Sequence, residues 1–387
     1  MRSIKEPADI LDPRHYAAVR RPTDLAEPLP PWCYTSPAFF EREREQIFFK
    51  CWNCVGPMSR VAEAAGSYIT FTYVDVPVVI VRGNDLKLRA FVNSCRHRGQ
   101  EVVQGSGECK FLKCPYHAWA YSLEGELVGT PLFEGHDQFD KNEYGLVALK
   151  LEFWAGAMWI NFDPESGDLL SYLGDLPERT KAWHAEDMVC VSRVETVINA
   201  NWKQYYENFS DVYHVPFVHT SSLPFKGHAK REWHNENYIG NYIMHRVWFP
   251  GTRSIPDEAK PLPEIDLTSD LQGAFYPWIY PNGGMSFTND SMWLIELYPD
   301  GPERTLHVRS LMVPKASAAL PDFASIIVNY ENTLALITSQ DVVVLESQQR
   351  SVHSPVYCTG RFARMDKLVH DSELWILDRV IGNADGQ

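Results

Sequence analysis

Cys95-Arg-His97 and Cys114-Pro-Tyr-His117, separated by sixteen residues, place two thiols and two imidazoles in paired claws. Four such ligands drawn from two short segments oblige the intervening chain to fold around one inorganic centre. A structural zinc site also takes two cysteines and two histidines, but its usual order pairs Cys with Cys and His with His. Here each claw is mixed. Cys-x-His followed by Cys-x-x-His is the ligand order of a [2Fe–2S] centre in which the cysteines hold one iron and the histidines the other. Exchanging two anionic thiolates for neutral imidazoles removes negative charge and raises the potential, so such a centre accepts an electron and passes it on.

The flanking residues support that reading. Arg98-Gly99 and Gly105-Ser-Gly107 supply tight loops that let backbone N–H groups approach the sulfurs. Tyr116, inside the second claw, is expected to donate its phenolic O–H to a cysteine sulfur. The whole segment from Cys95 to Trp119, CRHRGQEVVQGSGECKFLKCPYHAW, resembles the Rieske domain of the aromatic ring-hydroxylating oxygenases.

A Rieske module needs only about a hundred residues. The chain has 387, so a larger second domain is expected. Apolar residues make up 45%, and no run approaches the roughly twenty uninterrupted apolar residues of a membrane span. The N-terminal MRSIKEPADILDPRHY lacks the apolar core of a secretory signal, so no membrane is expected and the cytoplasm is the expected location. A net charge of −14, without clustered Lys and Arg, argues against nucleic acid as a partner. Eight cysteines in a chain this long do not make a disulfide framework. Cys33, Cys51, Cys54, Cys109, Cys190 and Cys358 are read as reduced and structural. Cys51-Trp-Asn-Cys54, with no second CxxC, is read as packing.

Residues 36–50 carry Ser36 as an N-cap and apolar positions at helical spacing. From about residue 57 the runs YITFTYVD, VPVVIVRGND, KLRAFVN, ELVGT and MWINF, broken by Gly, Asn and Asp, predict a small antiparallel sheet with both claws on its loops. Around Asp163-Pro-Glu-Ser-Gly the chain leaves that domain. The expected division is an N-terminal segment (1–44) packing on the catalytic domain, a [2Fe–2S] domain (45–163) and a catalytic domain (164–387).

A second constellation begins at Asn201. In NWKQYYENFSDVYHVPFVH, Glu207, Asp211 and His214 follow at i,i+4 and i,i+3 and can share a helical face. Pro216 is expected to bend or end that helix and turn His219 toward His214. Trp202 and Lys203 are expected to anchor its start by packing and surface charge. Asn208, one turn before Asp211, fits either a backbone-bonded helix polar residue or a supporting role near a metal. Downstream, PDFASIIVNYENTLALITSQDVVVLESQQRSV is amphipathic and offers Asp341 as a third ligand, with the apolar residues after it pointing it inward. Glu331 and Glu346 could ligate on chemistry alone. Two imidazoles and one carboxylate on one face of an iron leave open positions for dioxygen and substrate.

NWKxxxENFxDxYHxxxxH followed by a C-terminal helix with QDxxxxExxQ resembles the catalytic domain of Rieske non-haem iron oxygenase α subunits. The likeness runs from roughly residue 35 to the C-terminus and is loose from about 225 to 320. It implies an α+β protein, a small antiparallel Rieske domain beside a catalytic domain whose antiparallel sheet is covered by helices, of the helix-grip or START-like kind. It implies Cys95, His97, Cys114 and His117 on one Rieske cluster and His214, His219 and Asp341 on one mononuclear Fe(II). Asp211 matches the carboxylate that connects a Rieske histidine to a mononuclear-iron histidine. The resemblance further implies dioxygen as co-substrate, a head-to-tail trimer as α3 or α3β3, and electrons from a reductase with or without a ferredoxin. No GxGxxG follows a strand, so NAD(P)H and flavin belong to that partner.

Substrate selection is expected between Ser222 and Pro314, rich in Tyr238, Tyr242, Trp248, Phe275, Tyr276, Trp278, Tyr280, Phe287 and Trp293. Most of these could equally be sheet core. Walls of this kind suit an aromatic ring, and their faces also attract alkylated ammonium groups. Three activities follow as alternatives: hydroxylation of an aromatic or related small molecule, as in aromatic hydrocarbon catabolism; oxidative N- or O-dealkylation at the same iron; and a non-catalytic electron carrier, which leaves His214, His219 and Asp341 without a role.

Overall fold

The computed structural model describes residues 6–133, 138–222, 238–247, 253, 255 and 258–382. They divide into two compact units, residues 55–166 and residues 1–54 with 167–387.

The smaller unit is built on a seven-stranded antiparallel sheet and a three-stranded one. Its strands are β1 (Asn53–Pro57), β2 (Ser67–Tyr73), β3 (Val76–Arg82), β4 (Leu88–Val92), β5 (Ser106–Glu108), β6 (Leu112–Lys113), β7 (Ala120–Tyr121), β8 (Leu127–Gly129), β9 (Ala148–Trp154) and β10 (Ala157–Asn161). The large sheet runs β1-β10-β9-β4-β3-β2-β5 and the small one β6-β7-β8. The run VPVVIVR shows why this folds as it does. Successive side chains of a strand point to opposite faces. Val79 and Val81 enter one core with Phe91, Cys95, Cys114 and Trp119, whereas Val78 and Ile80 enter another with Val55, Ala90, Met158 and Ile160. One strand therefore serves two cores, and the claw loops hang from the first.

The larger unit carries the antiparallel sheet β11-β16-β15-β14-β13-β12, formed by β11 (Met188–Ile198), β12 (Tyr242–Val247), β13 (Ala274–Ile279), β14 (Gly283–Phe287), β15 (Met292–Pro299) and β16 (Thr305–Pro314). A 30-residue helix, Phe323–Val352, packs Ile326, Ile327, Tyr330 and Leu334 on Leu311 and Val313 of β16. The N-terminal segment joins this unit through buried bonds. Glu373 accepts from the backbone N–H of Leu29 at 3.0 Å, and His370 Nε2 lies 2.7 Å from the Val19 carbonyl.

Two expectations shift here. Residues 45–54, placed at the start of the [2Fe–2S] domain, cluster with the larger unit. The cause is continuity: Ser36 caps the helix Pro37–Glu43, a wider π turn extends it through Arg44–Phe48, and buried Phe48 meets Trp202. Cys54 then exchanges backbone bonds with the Asn282 side chain, its N–H donating to Oδ1 at 2.8 Å. Lys203, expected to carry surface charge, is fully buried. Its ammonium lies 2.6 Å from Glu43 Oε1, while Trp202 Nε1 donates to the other Glu43 oxygen at 3.1 Å. All eight cysteines are free, and Cys51 and Cys54 are buried packing residues.

Candidate active site and electron-transfer site

In the smaller unit each claw is a closed loop. The Cys95 N–H donates to the Gln100 carbonyl and the Gly99 N–H to the Cys95 carbonyl, both at 2.8 Å; the Cys114 N–H donates to the Trp119 carbonyl at 2.8 Å. Gly99 (φ +78°) supplies a left-handed turn that a side chain would strain. Asn93 Oδ1 receives the backbone N–H of Val102 at 3.0 Å, fixing the chain between the claws. The His97 and His117 rings are 4.7 Å apart, and Trp119 stacks on His97 at 4.8 Å.

The donor set fits a binuclear cluster. No three of the four ligand atoms lie mutually within 4.8 Å, whereas one tetrahedral ion with bonds of about 2.0–2.3 Å would draw all four closer than that. His97 Nδ1 is buried with no partner, which leaves its lone pair for a metal. Desolvation, then the neighbouring His97 and Arg98, push His117 down and keep it neutral, the form that ligates. Burial pushes the Cys114 thiol up, but the backbone N–H groups of Tyr116 and His117 donate to its sulfur and favour the thiolate.

Tyr116 does not play the expected part. It is 55% exposed, lies against His117, and its hydroxyl accepts from Arg98. Tyr121, on β7 and fully buried, instead has its hydroxyl 3.3 Å from Cys95 Sγ. The strand aims Tyr121 inward, whereas Tyr116 sits at the outer tip of its loop.

In the larger unit the helix carrying Asn201's motif is capped by Asn201, whose side chain accepts from the Lys203 N–H at 3.0 Å. It ends at Ser210. Asp211 is extended (φ −80°, ψ 123°), and a new one-turn helix, Val215–Val218, begins after His214 with Pro216 in its first turn. The shared helical face predicted for Glu207, Asp211 and His214 is therefore broken, and Pro216 starts a helix where it was expected to end one. A proline is tolerated in a first turn because its missing N–H would be unpaired there anyway.

This break brings three donors together. His214 Nε2 lies 3.3 Å from His219 Nε2 and 3.6 Å from Asp341 Oδ1, and His219 Nε2 lies 3.1 Å from Asp341 Oδ1. Adjacent ligands on a metal at about 2.1 Å stand about 3 Å apart. Asp341 Oδ1 is buried with no hydrogen bond. Gln340 Oε1, already accepting from Ser222 Oγ at 2.6 Å, takes the proton of His219 Nδ1 at 3.0 Å. With a neutral ring protonated on Nδ1, His219 Nε2 faces the Asp341 carboxylate oxygen with a lone pair, an arrangement that a cation bound between them would stabilise. Asp211 Oδ2 is 3.3 Å from His214 Nδ1, close enough to favour a proton there although the ring N–H is not aligned on it. Glu346 is taken up elsewhere, accepting from the backbone and side chain of Asn199. The other grouping of this kind among the described residues, His184, Glu186 and Asp187, is fully exposed.

The triad opens on a cavity of about 110 Å3 lined also by Phe209, His245, Tyr276, Trp293, Ile295, Arg309 and, at helical spacing, Leu334, Ile337 and Thr338. By the same measure a water needs roughly 10–15 Å3, so the occupant is on the order of ten non-hydrogen atoms. Asn208 and Asp211 line this cavity and a second one of about 440 Å3 beside Glu207 and Glu373. Burial, first of several causes, raises Glu207 to about 7, while its bond from Tyr34 at 2.9 Å opposes that rise.

Of the aromatics read from the sequence that are among the described residues, Tyr276 and Trp293 line the site. Phe275 and Phe287 pack on Trp183, Tyr280 stacks on Trp375, Trp278 sits under Tyr206 and Phe209, and Tyr242 donates to Asp175. Tyr238 lies beside Tyr242, and Trp248 falls outside the described residues. Gln340, Tyr121 and Arg309 escaped the sequence reading. Only Gln340 had a signal, its place immediately before Asp341.

Residues 178–382 match the family described as ring hydroxylating alpha subunit (catalytic domain), and residues 51–140 match the Rieske [2Fe-2S] domain. The chain belongs to the Rieske oxygenase α-subunit family. This Rieske oxygenase is 30% identical over 369 residues to the chloroplastic choline monooxygenase of Spinacia oleracea, covering 92% of its own chain and 78% of that relative. It is 30% identical over 339 residues to the carnitine monooxygenase oxygenase subunit of Acinetobacter baumannii, covering 86% and 87%. The solved quaternary ammonium Rieske monooxygenase CntA in complex with L-carnitine superposes with a TM-score of 0.74 at 27% identity, covering 91% of this chain and 96% of that one. The protein is thus a terminal oxygenase component with a Rieske [2Fe–2S] cluster and a mononuclear iron, working with a reductase or ferredoxin on a small substrate. No helix among the described residues is long and apolar enough to cross a membrane.

Proposed function

We propose that this Rieske oxygenase hydroxylates a carbon bonded to the nitrogen of a small alkylammonium substrate, so that the resulting N-hydroxyalkyl product collapses to an aldehyde and an amine. The observation that carries the proposal is the convergence of His214, His219 and Asp341 at a small cavity with aromatic faces. Tyr276 and Trp293 line that cavity, and aromatic rings attract a cation. The choline and carnitine monooxygenases among its relatives support the same reading. His214, His219 and Asp341 would hold the iron, and Cys95, His97, Cys114 and His117 the cluster. When bound, the cluster supplies one-electron transfer and the ferrous ion supplies dioxygen activation. Gln340 keeps the His219 proton on Nδ1, and Asp211 favours the matching tautomer of His214, so both rings present Nε2. Asp211, bordering both cavities, is the residue through which the two redox sites communicate, across a subunit junction in a homotrimer; support for the trimer is the family resemblance. Asn208 lines the same two cavities as Asp211. Eight free cysteines favour a reducing, cytoplasmic setting.

Ring hydroxylation is the second reading, favoured by the Phe209, Tyr276 and Trp293 walls. Reconstitution with a reductase, NADH and a panel of trimethylammonium, O-methyl and aromatic compounds separates the two by product mass. Aldehyde release with one oxygen atom incorporated from dioxygen is expected. A cis-diol carrying both atoms would overturn the proposal in favour of ring hydroxylation.

A further inference from the structure

Arg309, on β16, is 5% exposed, yet among the described residues its side chain makes a single hydrogen bond, from Nη1 to Thr338 Oγ1 at 3.1 Å. No carboxylate among them comes within 4.0 Å of it. The other buried cation of this unit, Lys203, is compensated by Glu43, and even the half-buried arginines have carboxylate partners, Arg193 in Glu296 and the cavity's second arginine, Arg253, in Glu264 with Asp290 at 3.6 Å. A guanidinium stays charged in a protein, so enclosing it beside one neutral hydroxyl leaves most of its charge without a counterpart. Burial pushes Arg309 down from its ordinary value, and Tyr205 and Glu331 oppose this only from a distance. It lines the cavity of His214, His219 and Asp341 and also a neighbouring one of about 250 Å3 with Val194, Thr196 and Ala335, so its remaining N–H groups border space that an occupant can reach.

We propose that Arg309 anchors a carboxylate of the substrate, which is therefore a short zwitterion rather than a simple cation; this rests on the triad cavity being the oxygenation site. The planar fork of Arg309 matches a carboxylate with two parallel N–H···O bonds. A carboxylate there supplies the missing counter-charge, while the ammonium end meets the faces of Tyr276 and Trp293. A plain alkylammonium ion would bring a second positive charge into a space that already holds an unpaired one.

The test is equilibrium binding to the holoprotein by calorimetry, with L-carnitine, its methyl ester, choline and benzoate as probes. The wild type should bind L-carnitine about 10- to 100-fold more tightly than the ester, the range set by losing charge-assisted hydrogen bonds. Arg309→Met should erase that preference, and Arg309→Lys should restore part of it. Equal affinity of acid and ester in the wild type overturns the proposal without any variant having to fold. A variant that weakens acid and ester alike overturns it as well. Arg309-dependent binding of benzoate with none of the trimethylammonium probes bound would uphold the anchor and refute the ammonium reading instead. Absence of Arg309-dependent binding by either carboxylate refutes the anchor.

Discussion

His219 Nε2 and Asp341 Oδ1, held 3.1 Å apart, define the chemistry of the catalytic cavity more sharply than any motif. Gln340 creates the situation by taking the His219 proton on the far side of the ring. At the cluster loops the equivalent detail is Tyr121, whose hydroxyl approaches Cys95 Sγ at 3.3 Å. Hydrogen bonds to cluster sulfurs stabilise the more negative, reduced state and raise the potential. Tyr121→Phe should therefore lower the reduction potential of the cluster, measured by redox titration of its absorption, whereas Tyr116→Phe should leave it in place. The reverse pattern would restore the role first read into Tyr116. The difference between these tyrosines also marks the limit of sequence reading. Ligand spacing is local and was legible in the claws and in His214 and His219, but the direction in which Tyr121, Gln340 or Arg309 points is settled by strand and helix packing many residues away.

Among elements, the decisive one is the interruption after Ser210. A continuous helix would carry Asp211 and His214 on one stripe. The break frees Asp211 to extend and lets its Oδ1 accept from the Tyr213 N–H at 2.5 Å while Oδ2 faces His214. Pro216 signalled a change of course at this point but not its sense, because a proline is compatible with both a helix end and a first turn. The start of the same helix is held by the Glu43–Lys203 pair, which ties the N-terminal segment to the catalytic unit. Removing one partner of a buried ion pair leaves an uncompensated charge. Glu43→Ala should accordingly cost about 3–5 kcal/mol in denaturant unfolding of the larger unit, and the double change Glu43→Leu with Lys203→Met should recover most of it. Equal destabilisation by both variants would show that packing, not charge, is what the pair provides.

For the whole molecule, the α+β architecture was readable because strand alternation and the long amphipathic helix are each periodic over many residues, as β3 and Phe323–Val352 show. The substrate wall was not, since β12–β15 are aromatic on both faces and only burial separates Tyr276 and Trp293 from Phe275 and Phe287. Asp211 stands where the account joins two metal sites into one enzyme. Asp211→Ala should keep both metals yet reduce coupled product formation to a few per cent or less, a loss on the order of 100-fold; ordinary turnover in that variant would remove Asp211 from the electron path. The most direct test of the central claim is iron per chain in the purified, reconstituted protein. The account predicts three in the wild type, two of them in the histidine-ligated cluster, and two in Asp341→Ala with the cluster absorption unchanged. A wild-type count that stops at two, or an Asp341→Ala count equal to the wild type, would contradict it.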